Sequence, residues 1–190
     1  HISGLAFLLL ILPLALNAQD QRTVTTKVAD VLALLPASDN TSAQKIYKDL
    51  IATGDEGLRM VAAGVRPNGQ AEGVPFRFAV SLLTHYGKDG GERRMLEKIY
   101  RDALAQAPGA EVKSYFLNNL QLVGSNESIE AITPLIKQDS LAFPAVGALE
   151  TIGTKEALDA LVKAMPSASP KVQAGIVKIL GNKDYQPALE

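Results

Sequence analysis

The feature that most constrains this fold is a short pattern that recurs three times in the second half of the chain. Each copy holds an apolar run, a glycine, a short polar stretch and a second apolar run, centred on Gly124, Gly153 and Gly181. These three glycines recur at nearly equal intervals. Both apolar runs have helical spacing, and glycine is favoured just past a helix because it adopts left-handed backbone angles. The pattern predicts a helical hairpin, repeated.

The upstream half of the chain follows the same helical pattern less regularly. Apolar residues recur at helical spacing from Phe76 to Leu83 and again from Met95 to Leu104. Leucine-rich repeats have a similar length, but their strand motif is missing from this sequence. Shorter helices are predicted near 24–35, 42–53 and 56–63, and a longer loop over 65–73.

Helical hairpins of this size cannot bury an apolar face alone, so consecutive hairpins must stack on one another. The predicted fold is therefore all-α, a right-handed α-solenoid of about five hairpins. In such a stack the second helices lie side by side and line the inner curve. We therefore expect any interaction surface to lie on the second helices.

Composition excludes several functions. The 19 Lys and Arg residues against 20 Asp and Glu give a net charge of −1. The chain thus lacks the excess positive charge that would favour binding to nucleic acid. The chain has no Cys, which excludes disulfides, thiol nucleophiles and Cys-based zinc sites. With His1 and His85 as its two histidines, it cannot build a His-rich metal site. We predict no metal and no cofactor.

The N-terminal segment is unlike the rest of the chain. Residues 4–16 carry no charge and are almost entirely apolar, with Pro13 among them. A membrane-spanning helix needs about 20 apolar residues, so a secretory signal peptide over 1–18, cleaved after Ala18, is the stronger interpretation. The alternative is a buried N-terminal helix. The remaining residues 19–190 would form an exported helical domain, periplasmic or secreted, with no stable membrane anchor after cleavage.

The repeat over 148–161 resembles the short HEAT-like repeat of the phycobilisome-lyase type. The segment from Val172 to Gly181 resembles the second helix of that repeat, and Pro187–Leu189 resembles the opening of another, which predicts a domain truncated at its C-terminus. The resemblance is best over 111–190. It implies architecture and not a reaction.

The order of a leader followed by HEAT-like units also resembles the N-terminal region of large secreted bacterial proteins. In those proteins the far end carries a 3-keto-disaccharide-hydrolase-like domain. The resemblance implies two alternatives for this chain. It is a non-catalytic scaffold or spacer that binds a protein partner or a downstream domain of the same chain, or it is the accessory region of a secreted carbohydrate-active enzyme. A bilin lyase role is disfavoured by the predicted export and the lack of Cys.

No catalytic centre is predicted in these residues. The stretch 87–91 is glycine-rich but lacks the spacing and the hydroxyl of a P-loop. The paired acids Asp55 and Glu56 follow Gly54 at a predicted helix start, where exposed amides stabilise negative charge. His85 stands at a predicted helix end, where positive charge suits the helix dipole. We interpret all of them as structural.

Alignment on the three glycines singles out one polar residue in the predicted core. Asn119 stands where Ala148 and Ile176 stand in the later copies. A buried amide without a partner costs about 1 to 3 kcal/mol, so we expect Asn119 to bond to a neighbouring helix or turn, with ligand contact as the alternative.

The same alignment predicts a partner-binding surface on the second helices. It combines a mixed polar row with an apolar strip one turn earlier. Such a strip could dock a partner or a downstream domain, and the alternative is that the neighbouring repeat covers it. The predicted partner-binding residues are Leu117, Gln121, Val146, Glu150, Ala174 and Lys178.

Overall fold

The computed structural model describes residues 22–185, and within this range all regular secondary structure is helical, without strands. The predicted all-α class is confirmed, and so is the long connection over 65–73, which holds only the short 3-10 turn Ala71–Gly73. The ten α-helices of the described residues are α1 (Val24–Leu32), α2 (Asn40–Ala52), α3 (Gly54–Ala63), α4 (Val74–Gly87), α5 (Arg93–Gln106), α6 (Ala110–Val123), α7 (Ile129–Ile132), α8 (Asp139–Ile152), α9 (Lys155–Ala164) and α10 (Pro170–Asn182).

Most helices contact both the next helix along the chain and the next helix but one. Consecutive helices form five hairpins, from α1 with α2 to α9 with α10. Each even-numbered helix also contacts the next even one, from α2 through α4, α6 and α8 to α10. We call these five helices the even row and the other five the odd row. In the odd row, α1 contacts α3, α3 contacts α5, and α7 contacts α9.

The helices form because apolar side chains recur along one face of each and meet in a shared core. That core runs from Val28 in α1 to Leu180 in α10 without a break. Its two largest buried side chains are Tyr100 and Phe116, whose ring centroids lie 5.9 Å apart between α5 and α6. Local signals fix helix starts: Thr154 Oγ1 accepts a hydrogen bond from the Ala157 amide at the start of α9.

The glycine alignment of the third repeat is wrong. Gly124 and Gly153 directly follow α6 and α8 as predicted, but Gly181 lies inside α10. Gly153, after α8, has a left-handed backbone with φ of +64°. After α10 the residue with positive φ is Asp184, at +49°, and not Gly181. The true interval between the two hairpins therefore runs from Gly153 to Asp184 and is longer than the predicted one from Gly153 to Gly181.

The longer interval has a geometric cause in the first helices of the two hairpins. The short helix α7 continues as the 3-10 segment Thr133–Lys137, whereas α9 is a regular helix of ten residues followed by the turn Met165–Ser167. A 3-10 helix rises about 2.0 Å per residue against about 1.5 Å for an α-helix. The α7 segment therefore spans its hairpin with fewer residues than α9 needs.

Candidate functional site

Helix lengths define a common register for the even row. Helices α4, α6 and α8 each have 14 residues, and α10 has 13, so equivalent positions are counted from the first residue of each helix. The eighth positions of α6, α8 and α10 are Leu117, Val146 and Val177. This register replaces the one from the glycine alignment, which paired Ala174 with Leu117 and Val146.

Two of the predicted partner-binding residues are part of the core. Leu117 is 0% exposed and Val146 is 4% exposed, and both belong to the continuous core. At these two positions the apolar strip is therefore part of the core and not a docking surface, which agrees with the alternative that the sequence left open. A single helical period shows which residues are apolar but not which of them a neighbouring helix covers.

The other four predicted residues retain contact with solvent. Gln121 and Glu150 are half-buried, whereas Ala174 and Lys178 are exposed. The Gln121 amide lies against Gly147 of α8. The approach is close: if Gly147 carried a Cβ, that atom would lie only 3.2 Å from Gln121 Nε2. The structure therefore brings Gln121 into the α6–α8 contact and leaves Ala174 and Lys178 on the outer surface of α10.

Exposed aromatic rings stand at another shared position of the even row. The fifth residues of α4, α6, α8 and α10 are Phe78, Ser114, Phe143 and Ala174, and we call this line of side chains the even-row face. Phe78 is 44% exposed and Phe143 is 46% exposed, although both are large apolar residues. Neighbouring helices pack about 8 to 10 Å apart, so two steps along the row separate the two helices by about 16 to 20 Å.

The α8 and α10 end of the even-row face carries basic side chains. The Lys171 ammonium lies 5.4 Å from the centre of the Phe143 ring, within the range of a cation–π contact. Lys171 and Lys178 both lie on α10, where Lys178 is exposed, and α10 contains no acidic residue. Glu150 is the acidic neighbour on α8. This end of the face thus combines an aromatic ring with positive charge.

A buried polar network joins three helices beneath this face. Asn119 is 8% exposed, and its Oδ1 accepts a 2.7 Å hydrogen bond from Thr84 Oγ1 of α4. Its Nδ2 donates to the Tyr115 carbonyl oxygen at 2.8 Å, and Thr84 Oγ1 lies 3.0 Å from Tyr100 Oη. Burial raises the pKa of Tyr100 well above its usual range. The prediction that Asn119 bonds to a neighbouring helix is confirmed.

A second polar cluster was not foreseen from the sequence. Glu97 of α5 is 3% exposed, and its Oε1 accepts hydrogen bonds from the Ser125 amide at 2.7 Å and from Ser128 Oγ at 2.6 Å. One turn away on each side, Arg93 donates to the Val123 and Gly124 carbonyl oxygens, and Arg101 donates to that of Glu127. We call Arg93, Glu97 and Arg101 the α5 clamp. It holds the turn between α6 and α7.

A cleft of about 250 Å³ opens between α3, α5 and α6. Its floor includes Ile99 and Phe116, and Arg59 and Asp102 stand at its edge, 2.7 Å apart. The hydrogen bond from Arg59 holds the pKa of Asp102 below its usual range. Arg59 also donates to Asp55 at 2.6 Å. Because two carboxylates already neutralise the guanidinium, we interpret the pair as a tie between α3 and α5.

The acidic and histidine side chains considered for catalysis do not converge. Asp55 and Glu56 lie in the first turn of α3, and His85 lies in the last turn of α4, as predicted. Two further acids are engaged in ion pairs, Glu127 with Arg101 at 3.2 Å and Asp159 with Lys155 at 2.8 Å. Between residues 22 and 185, no three acidic or histidine side chains are grouped so that they could hold a metal ion.

Sequence patterns gave only faint signals for the features that define this surface. Phe78 does not belong to the helical period formed by Phe76, Ala79, Val80 and Leu83. Its position off that apolar stripe was the available signal for an exposed ring. Glu97 lies between Arg93 and Arg101 at intervals of four, which places all three charges on one helix face. That stripe was the available signal for the α5 clamp.

No helix of the described residues is long and apolar enough to cross a membrane. No protein-family model matches this chain, and neither the curated proteins nor the solved structures contain a significant match to it.

Proposed function

We propose that this protein is an interaction scaffold built as an α-solenoid of five HEAT-like hairpins. The contacts of each even helix with the next even one, and of α1 with α3, α3 with α5 and α7 with α9, support the solenoid, because stacked hairpins produce this pattern. The shared register of the even helices supports the repeat. The right-handed sense of the superhelix remains a prediction.

The proposed binding surface is the even-row face, and the exposed rings of Phe78 and Phe143 are the observation that carries it. Aromatic side chains bury a large apolar area, so they contribute strongly to the free energy of binding when a protein partner covers them. Because both rings stand at the fifth position of their helices, α4 and α8, we expect them on one side of the row. A partner that covers both would span about 16 to 20 Å.

The chemistry of the face favours a partner that combines apolar and acidic side chains. Apolar groups would cover the two rings, and acidic groups would meet Lys171 and Lys178 at the α10 end of the face. Charge complementarity of this kind increases association rates and selects among partners. A protein segment provides both kinds of side chain.

Site-specific photo-crosslinking tests this proposal. A photoreactive phenylalanine analogue replaces Phe78 or Phe143, and the same analogue at Leu34 is the control because Leu34 is an exposed apolar residue outside the face. In an extract of the producing cells we expect one protein to crosslink at both face positions and not at Leu34. Equal products at all three positions, or none at the two face positions, would reject the face as the binding surface.

We also propose that the protein is exported, on the strength of the apolar sequence over 4–16. This segment lies outside the described residues. N-terminal sequencing of the protein recovered from the periplasm or medium is expected to begin at Gln19. A retained segment 1–18 in a cell-associated protein would favour the alternative of an uncleaved N-terminal helix.

A further inference from the structure

The connection between α3 and α4 contains the only Asn-Gly pair of the chain, at positions 68 and 69. Both residues are exposed, and they form the tip of a turn in which the Gln70 amide donates to the Pro67 carbonyl oxygen at 3.4 Å. Gly69 has a φ of +86°, a left-handed conformation that favours glycine. Among the described residues, and apart from its chain neighbours, no atom lies within 4 Å of a Cβ added at Gly69. The tip of this turn is therefore open and unhindered.

The two groups that can react with each other in this turn have no other partner. Within residues 22–185, neither the Asn68 side-chain amide nor the Gly69 backbone amide takes part in a hydrogen bond. Glycine has no side chain, so its backbone nitrogen approaches the preceding side-chain amide more closely than the nitrogen of any other residue does. The Asn68 side chain is thus poised next to the nitrogen that follows it.

The other asparagines of the described residues are held in helical segments. Asn40, Asn118, Asn119 and Asn182 lie in α-helices, and Asn126 lies in a 3-10 turn. Backbone hydrogen bonds of a helix restrict the rotation that brings the next nitrogen to the side chain. Each of these five is also followed by a residue with a side chain. Exposure, an open turn and a following glycine therefore coincide at position 68.

From these observations we infer that Asn68 is a site of spontaneous deamidation in the folded protein. The Gly69 nitrogen attacks Cγ of Asn68 and forms a C–N bond, and the side-chain nitrogen leaves as ammonia together with the proton from Gly69. Water then opens the cyclic imide at either of its carbonyl carbons, which gives aspartate or isoaspartate at position 68. In total one water is consumed and one ammonia is released, and the reaction needs no oxidant or cofactor.

The new carboxylate would lie where the connection is tied to α4 and α6. The Asn68 backbone amide donates to Glu111 Oε1 at 2.6 Å, and Arg77 Nη2 donates to the same oxygen at 3.1 Å. Arg77 Nε also donates to the Arg66 carbonyl oxygen at 2.8 Å. A second carboxylate beside Glu111 repels it, and isoaspartate also lengthens the backbone within the turn. We therefore expect both products to release the turn from Glu111.

Mass spectrometry of peptides from the intact protein, incubated in mildly alkaline buffer, tests the inference. We expect the peptide with position 68 to exchange NH2 for OH while the other described asparagines remain unchanged. Asn68→Gln keeps a side-chain amide but is expected to abolish the reaction, because a longer side chain closes the imide ring far more slowly. Gly69→Asn is the matched control, because asparagine tolerates positive φ. It is expected to slow conversion by at least about tenfold, since its Cβ hinders the attack.

A synthetic peptide of residues 63–73 shows how fast the same chemistry runs without the fold. Conversion in the peptide but not in the folded protein would show that the fold blocks the attack, and would overturn the inference. Conversion at the other described asparagines at the same rate would also overturn it, because such conversion would come from unfolded chains. No conversion in either sample would have the same consequence.

Hydrogen exchange at the backbone amide of residue 68 tests the release of the turn. Glu111→Ala removes the acceptor and is expected to speed this exchange several-fold, which sets the rate of the untied turn. Deamidated protein is expected to approach that rate, and so is Asn68→Asp, which carries the charge without the longer backbone. If deamidated protein or Glu111→Ala exchanges as slowly as fresh protein, the turn is not held in this way.

The inference does not rest on the proposed function. Crosslinking at Phe78 and Phe143 is measured on freshly prepared protein, and its failure would leave the mass change at position 68 unaffected. Absence of the mass change would leave the crosslinks intact.

Discussion

The contact between α6 and α8 in the even row is closed by apolar side chains, whereas the contact of α5 with the turn before α7 is closed by charges. Leu117 and Val146 are buried in the even row. In the odd row, Glu97 is equally buried but accepts hydrogen bonds from Ser125 and Ser128. These two contacts of the same molecule are thus held by different chemistry, apolar packing in one and hydrogen bonds to charged side chains in the other.

The difference follows from the helices that each row provides. Helix α8 has 14 residues, and its backbone amides and carbonyls bond to one another along most of its length. Apolar packing is therefore sufficient to hold it against α6. Helix α7 has four residues, and the turn before it leaves amides and carbonyls that need outside partners. An unpaired buried polar group costs about 1 to 3 kcal/mol. The α5 clamp supplies those partners.

The largest expected effect comes from placing a charge in the even-row contact. Val146→Asp buries an unpaired carboxylate and is expected to lower the free energy of unfolding by more than about 3 kcal/mol. Val177→Asp, at the same register on α10, is the control and is expected to change it by less than about 0.5 kcal/mol. Urea denaturation measures both. Equal destabilisation at the two positions would contradict the register.

The clamp of the odd row is tested at Glu97. Glu97→Ala removes a charged acceptor from the Ser125 amide and two serine hydroxyls and is expected to cost about 2 to 3 kcal/mol. Glu97→Gln keeps an acceptor oxygen and is expected to cost clearly less. Urea denaturation gives the totals, and faster hydrogen exchange at the Ser125 amide would locate the loss. A neutral Glu97→Ala would show that apolar packing alone holds this turn.

A smaller effect is expected where the two kinds of chemistry meet, in the network around Asn119. Thr84→Val keeps the shape of the side chain but removes the donor to Asn119 Oδ1, and is expected to cost about 1 to 2 kcal/mol. Ser81→Ala on the same helix is the comparison: it removes the hydrogen bond between Ser81 Oγ and Tyr115 Oη, and because Ser81 is exposed it is expected to cost less than Thr84→Val. If thermal unfolding shows the two variants to be equally stable, the buried network does not contribute to the even row.

The smallest effect is expected at the α3–α5 tie. Arg59 lowers the pKa of Asp102, so the pair stabilises the folded state at pH values above the unfolded pKa of about 3.9. That contribution is lost as the pH falls through the lower folded pKa. Because both side chains are more than a third exposed, Asp102→Asn is expected to cost less than about 1 kcal/mol. Comparing urea midpoints at pH 7 and at about pH 3 checks this, since the difference between wild type and variant should shrink at the lower pH.

Much of the fold was predictable because helices are encoded locally. Apolar spacing predicted helical pairs, and the loop over 65–73 and the turns after α6 and α8 were found where expected. Asn119 was identified as a buried amide because it interrupts an apolar position of the repeat. The signal peptide, the family resemblance and the partner remain predictions.

The candidate surface was less predictable, because exposure depends on neighbours that are distant in sequence. Leu117 and Phe143 are both apolar residues within helical periods, yet the first is buried and the second exposed. The alignment on Gly181 also misplaced Ala174 and Lys178 by nearly a helical turn relative to the helix starts. A sequence period does not show whether a helix continues as a 3-10 segment, and this decides the spacing between hairpins.

The sequence by itself determined that this protein is helical, where most of its helices lie and which residue types face inward, because each depends on side chains within one or two turns. The tertiary structure alone decided which apolar residues are buried, which charged side chains bond the turn before α7, and that Val177 of α10 stays exposed. Each of these depends on the position of a neighbouring helix, because burial and hydrogen-bond satisfaction are properties of the contact and not of the segment.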